Sequence, residues 1–175
     1  MSTSTISPTL PQETLSLRAS AYRRFLTTPA LFRAVLAARM PLLALAGARV
    51  EYVDLAGSRV VLPFGWKTQN IFGTMYFAAI AMAAEAACGS LVLLHDQQRG
   101  SKYAPIVKRV EADFKKAATS DIVFECSAGD VAADLFDRAK ESREREEAVI
   151  EVIGSTAKDG EVARVLVTWS MRYKG

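Results

Sequence analysis

The sequence predicts an α+β domain in which a curved antiparallel sheet wraps one long apolar helix. The first sign is the stretch from Ile71 to Leu94, 24 residues with seven alanines and Glu85 as the only charge. A helix apolar nearly all round is one that protein surrounds. The second sign is period-two alternation beyond it. Ala163, Val165, Val167, Trp169, Met171 and Tyr173 alternate with Arg164, Thr168 and Arg172, the pattern of a half-buried strand. The third is a match of lengths. A helix of about 20 residues is roughly 30 Å long, and strands of about eight residues span roughly 26 Å, so one sheet can enclose the helix along most of its length.

Taken in order, residues 1–14 contain no Lys or Arg and no apolar run, so they read as a disordered lead-in and not as a secretory signal. A helical N-terminal extension is expected over residues 15–47. Leu15, Ala19, Tyr22 and Phe25/Leu26 begin a helical spacing. Thr28 is placed to cap a second helix with Pro29 at its first position. Leu31, Phe32, Val35 and Leu36 form its face until Pro41 interrupts, and a short apolar segment ends at Gly47, a natural left-handed terminator. The main domain, residues 48–175, opens with two strands, Arg49 to Leu55 and Ser58 to Phe64, turned at Ala56-Gly57. A polar loop from Gly65 to Asn70 leads into the central helix, which ends near His95. Ile106, Val110, Ala112 and Phe114 share one face of the next strand, and Ile122, Phe124 and Cys126 mark another. Asp130 is placed to cap a helix running to about Arg145. Two final strands, Ala148–Thr156 and Val162–Tyr173, turn at Lys158-Asp159-Gly160. The order is β-β-α-β-β-α-β-β.

Composition bounds the function. The chain has 175 residues, 50% of them hydrophobic, and 22 Lys and Arg against 19 Asp and Glu. That suits a single domain. A net charge of +3 with no basic cluster interleaved by aromatics does not point to nucleic acid. Cys88 and Cys126 form neither a CxxC pair nor a disulfide framework. The single histidine, His95, excludes multi-histidine metal sites, and no metal is expected. The Ile71–Leu94 stretch is long enough to span a bilayer. Its alanine content and central carboxylate argue against insertion, and no membrane span is expected. The expected location is the cytoplasm.

Three segments carry a resemblance: LPF…TQNIFG ahead of the helix, the EADFKKAA strand, and the AKDGEVARVLVTWSMR hairpin. Over roughly residues 45–173 they resemble the hotdog fold of the acyl-CoA thioesterase and dehydratase superfamily. PFGWKTQNIFGTMYFAA with the helical extension is similar to a thioesterase-like branch defined by a domain of unknown function, DUF4442. The resemblance implies a homodimer or dimer of dimers whose acyl cleft lies between subunits. It also implies an acyl thioester, such as a coenzyme A thioester, as substrate or ligand, with no other cofactor.

In superfamily members similar to the phenylacetyl-CoA type, a His-Gly-Gly triplet opens the central helix, and the first glycine's N–H polarises the thioester carbonyl. Unpaired donors at a helix N-terminus suit that task. Here the triplet reads Phe72-Gly73-Thr74, which makes Gly73 the candidate donor, or a glycine that only tightens the turn. Asn70 is placed to orient a water, to hold the loop, or to cap the helix. The family's acid, about nine residues after the His, acts as nucleophile or base. Counted from Phe72 that position is Ala81, and the nearest acid is Glu85, one turn further on nearly the same face. A carboxylate in an apolar helix is costly unless paired or protonated. Glu85 is therefore either the catalytic group or one half of a structural pair, with Lys108 as its candidate partner. Phe72, Thr74, Tyr76 and Lys108 are the candidate substrate-binding residues, and Met75 is a lesser one. His95 fits a charged interaction with the helix C-terminus, Cys88 fits the core, and Lys115-Lys116 fit either solubility or coenzyme A phosphates. The leading function is thioester hydrolysis. The alternatives are a non-catalytic acyl-binding protein and a structural homodimer.

Overall fold

The computed structural model describes residues 14–175. The lead-in expected over residues 1–14 lies, except for Thr14, outside the described residues. The elements are α1 (Leu17–Thr27), α2 (Pro29–Arg39), α3 (Pro41–Ala46), β1 (Arg49–Val53), β2 (Ser58–Leu62), α4 (Phe77–Gln98), β3 (Ile106–Phe114), β4 (Ile122–Cys126), α5 (Gly129–Ser142), β5 (Arg145–Thr156) and β6 (Gly160–Arg172). The strands form one antiparallel sheet in the order β1-β2-β4-β5-β6-β3. Helix α4 packs against all six. Ala83, Ala84, Ala87, Cys88 and Leu91 meet the inward side chains of the sheet, among them Leu62, Phe124, Ile150 and Val167, all fully buried. The small residues on that side of the helix let it lie close to the strands. The architecture is the hotdog fold.

Several boundaries differ from the sequence reading for local reasons. The first hairpin is shorter at both strands. The Asp54 carboxylate accepts bonds from the N–H groups of Ala56 and Gly57 at 2.8 and 2.9 Å, pulling the chain into a turn before Leu55 can pair. Thr28 does not cap α2 with its side chain; its hydroxyl donates instead to the Arg24 carbonyl at 2.6 Å. Helix α5 starts one residue before Asp130, at Gly129. A side chain at Gly129 would come within 2.0 Å of the Leu55 carbonyl, so only glycine lets this helix start against the β1–β2 turn. In β3 a bulge between Val107 and Arg109 shifts the register. Val107, Val110, Ala112 and Phe114 consequently pair with the inward residues of β6, and Lys108 is thrown out of step with them.

Strand β3 is a sheet edge, and most of its residues are exposed, including Val110 and Phe114 on its inner face. Beside it runs an uncovered side of α4 that includes Phe77, Ala78, Met82 and Glu85. At the opposite edge, α1 packs on β1 and α4, and α2 rests on α1 and α3.

Candidate active site

The segment from Gln69 to Tyr76 is a closed loop and not the first turn of the central helix. Gln69 bridges to Met75 across its base. Asn70 holds its interior. The carboxamide oxygen accepts from the N–H groups of Phe72 at 2.9 Å and Thr74 at 3.2 Å, and the amide nitrogen donates to the Thr74 hydroxyl at 2.9 Å. Asn70 is thus committed to the loop, and it lies six residues before the Tyr76 cap of α4. The expectation that it caps the helix is corrected, and its bonds leave the carboxamide oxygen occupied where a water was to be oriented.

Gly73 is corrected on the same ground. Its N–H donates to the Asn70 carbonyl at 3.0 Å, so it is not a free donor at a helix end. Its φ of +75°, with open space where a side chain would stand, makes it a turn glycine. Thr74 is half-buried in the loop, and Phe72, 82% exposed, projects from the tip.

The helix begins four residues later, at Phe77, with Tyr76 as its cap. The Tyr76 N–H donates to the Thr68 carbonyl at 2.7 Å, and the Tyr76 carbonyl accepts from Ala79 and Ile80 at 3.0 and 3.1 Å. Among the described residues, the N–H groups of Phe77 and Ala78 have no partner, as the first turn of a helix requires. They lie beside a cleft of about 780 Å³ lined by Asn70, Met75, Tyr76, Phe77, Ile80 and Phe114. The rings of Tyr76 and Phe77 meet at 4.9 Å, and Phe77 meets Phe114 edge-on at 6.2 Å. Lys115 and Lys116 stand at the rim, where Lys115 Nζ pairs with Glu161 at 2.6 Å and Lys116 Nζ donates to the Asp159 carbonyl at 2.6 Å.

This later start changes the count. Nine residues on from Tyr76, the residue that opens the helix, is Glu85. The apparent empty acid position at Ala81 came from counting forward from Phe72, which lies in the loop. Counting back from the carboxylate to the helix start would have found the donors that the sequence reading missed, the N–H groups of Phe77 and Ala78.

Glu85 is half-buried on the uncovered side of α4, beyond the last lining residue of the cleft. Its carboxylate lies over Gly89, where an added Cβ would meet Glu85 Oε1 at 3.0 Å and the Trp169 ring at 3.7 Å. No cation pairs with it among the described residues. Burial pushes its pKa above the ordinary 4.5. Lys108, the expected partner, bonds Glu147 at 2.6 Å instead, because the β3 bulge removes it from the inner face. It lies neither against Glu85 nor in the cleft.

The other titratable candidates are structural. His95 is buried, with Nε2 3.0 Å from the Leu55 carbonyl and Nδ1 3.0 Å from the Arg99 guanidinium. Burial, reinforced by Arg99, lowers its pKa from 6.5 to about 4. It is a neutral ring tying α4 to the first hairpin, not the imidazolium expected at a helix end. The Cys88 sulfur accepts the Trp169 indole N–H at 3.4 Å, and burial raises its pKa.

The sequence matches the DUF4442 domain of unknown function over residues 28–171. The chain belongs to the DUF4442 family. The matched span starts at Thr28 and so takes in α2 and α3 as well as the sheet and central helix. No curated protein sequence matches this DUF4442 chain at a significant level. Among solved structures it is similar to a protein of unknown function from Pseudomonas aeruginosa, with 21% identity, a TM-score of 0.67, and coverage of 91% of this chain and 98% of the other. It is also similar to a thioesterase from Haemophilus influenzae, with 11% identity, a TM-score of 0.61, and coverage of 83% and 91%. A third is a mutant thioesterase from Pseudomonas aeruginosa, with 17% identity, a TM-score of 0.60, and coverage of 80% and 93%. At these identities the likeness is one of fold.

Proposed function

We propose that this DUF4442 domain hydrolyses acyl thioesters, with coenzyme A thioesters as the first class to test, at sites shared between two copies of the chain. The observation that carries the reading is the register of α4. Its first free N–H, at Phe77, and the Glu85 carboxylate stand at the spacing that the resemblance assigns to oxyanion donor and acid.

Chemistry then requires the second copy. Phe77 and Glu85 are eight residues apart, about 12 Å along the helix axis. A reacting carbonyl must lie about 3 Å from both its donor and its attacking water. One helix cannot satisfy both, whereas two antiparallel copies of α4 can, each supplying the donor for the other's carboxylate. The uncovered side of α4 and the unpaired edge of β3 offer the surface for that pairing.

In the proposed reaction, ionised Glu85 takes a proton from water as the water oxygen bonds to the thioester carbon. The Phe77 N–H holds the developing oxyanion. Collapse breaks the C–S bond, and the leaving thiolate takes the proton from Glu85, regenerating the carboxylate. Tyr76, Phe77, Ile80 and Phe114 line the apolar cleft that receives the acyl group. The raised pKa of Glu85 makes it a stronger base than an exposed carboxylate.

The test is thiol release from short, medium, long and aromatic acyl-CoAs by the wild type and Glu85→Gln. Turnover by the wild type that falls at least about 100-fold in the variant is expected. Turnover unchanged by Glu85→Gln would remove the carboxylate from the mechanism. Tight binding without turnover would favour the acyl-binding reading.

A further inference from the structure

Residues 14–50 carry six arginines (Arg18, Arg23, Arg24, Arg33, Arg39 and Arg49) and no Asp, Glu or Lys. This segment is therefore net +6 in a chain of net +3, which leaves the rest at −3. Elsewhere acidic residues outnumber basic ones, and Lys108, Lys115, Arg138 and Arg164 all bond carboxylates. Among the described residues, Arg23, Arg24, Arg33 and Arg39 form no ion pair.

The same segment exposes an apolar face. Helix α2 turns only Phe32 and Leu36 inward, where Phe32 meets Phe25 of α1 edge-on at 5.9 Å. Leu31, Ala34, Val35 and Ala38 follow the i, i+3, i+4, i+7 spacing of a second stripe, and all four are exposed. Leu42 and Leu45 on α3 are exposed as well, at 72% and 55%. Arg39 borders the α2 stripe beside Val35, and Arg33 is exposed on the same helix. The surface lies at the β1 edge of the sheet, the edge opposite β3.

We propose that α2 and α3 dock on an anionic lipid surface, with Leu31, Val35, Leu42 and Leu45 entering the hydrocarbon boundary and the arginines meeting the headgroup phosphates. An anionic bilayer supplies negative charge directly above apolar depth, which is the combination this face presents. A second copy of the chain would set +6 against +6. The docking is peripheral, since α4, the one described helix apolar and long enough to cross a bilayer, forms the core of the fold. It does not depend on the hydrolytic reading.

The test is co-sedimentation of the full chain with vesicles of phosphatidylcholine alone and of phosphatidylcholine mixed with phosphatidylglycerol. Binding is expected only to the mixed vesicles, and it weakens as salt rises. Arg33→Gln with Arg39→Gln lowers the partition coefficient about 30-fold. Leu31→Gln with Leu42→Gln also lowers it, and far-UV circular dichroism and melting confirm that these surface variants stay folded. Absence of binding to the mixed vesicles overturns the proposal. Binding lost with the arginines but untouched by the leucine substitutions also overturns it, and points to a soluble acidic partner. Lipid-free self-association abolished by the leucine substitutions would assign the face to a second copy and overturn it too.

Discussion

If the donor and the carboxylate of each site come from different chains, two dead variants should rescue one another. Phe77→Pro removes the N–H at the first helical position, a place where proline fits the helix. The Tyr76 ψ of 130° is already the extended conformation that precedes proline. Loss of one oxyanion donor costs about 10²–10³-fold in kcat, and loss of a general base costs about 10²–10⁴-fold. Each homodimer is then nearly inactive. After unfolding and refolding an equal mixture, half the dimers are mixed. Each mixed dimer holds one site with the Phe77 N–H of the Glu85→Gln chain and the Glu85 of the Phe77→Pro chain. Activity should return to about a quarter of the wild-type level. Phe77→Ala keeps the N–H but loses the ring contacts with Tyr76 and Phe114, so it separates the donor from the packing. The assay is thiol release before and after mixing, with dimer exchange followed by differently tagged chains. Exchange without recovery would refute the shared site.

Other consequences follow from burial and from the loop. Burial raises the Glu85 pKa above 4.5, so its ionised form disfavours the native state, and that cost grows as pH rises above 4.5 until it is complete above the native pKa. Glu85→Gln should raise Tm at neutral pH while abolishing turnover, with the gain vanishing below about pH 4.5. An unchanged Tm would mean that a cation reaches the carboxylate in the dimer. The His95 pKa is depressed from 6.5 to about 4, so the unfolded chain binds the extra proton in that window. Stability present above pH 6.5 is lost as pH falls, by up to about 3 kcal/mol. His95→Gln should flatten this limb in urea denaturation, and an undiminished slope would assign it to carboxylates. Asn70→Ala should cost about 0.5–1.5 kcal/mol by removing the side-chain bonds that hold the loop. It should raise KM before kcat, whereas equal loss of kcat and kcat/KM would restore Asn70 to the chemistry.

The fold was legible because Ala-rich helix and alternating strands are strong local patterns, and because their lengths match. Gly47 was equally legible, since a left-handed terminator after an apolar segment is a local requirement, and its φ is +77°. The start of α4 was not. Ile71 to Tyr76 is as apolar as the helix, and what keeps it out of the helix is the side chain of Asn70 bonding Phe72 and Thr74, with the Tyr76 N–H drawn to Thr68. Hydrophobicity carries no record of those bonds, and four residues of error moved the acid from Glu85 to Ala81. Lys108 failed for a similar reason, because one bulged residue in β3 reverses the alternation on which its placement rested. Glu85 was visible from the start, as the one charge in 24 residues, because an uncompensated carboxylate in apolar surroundings is costly whatever its exact neighbours.

The most direct measurement is a crystal structure of the protein with a non-hydrolysable thioether or amide analogue of a substrate it turns over. The account predicts a dimer in which the analogue's carbonyl oxygen, or its equivalent, lies about 3 Å from the Phe77 nitrogen of one chain. The Glu85 carboxylate of the other chain stands one water away from the adjacent carbon. A carbonyl held at Gly73, or one whose nearest carboxylate is not Glu85 of the second chain, would contradict it.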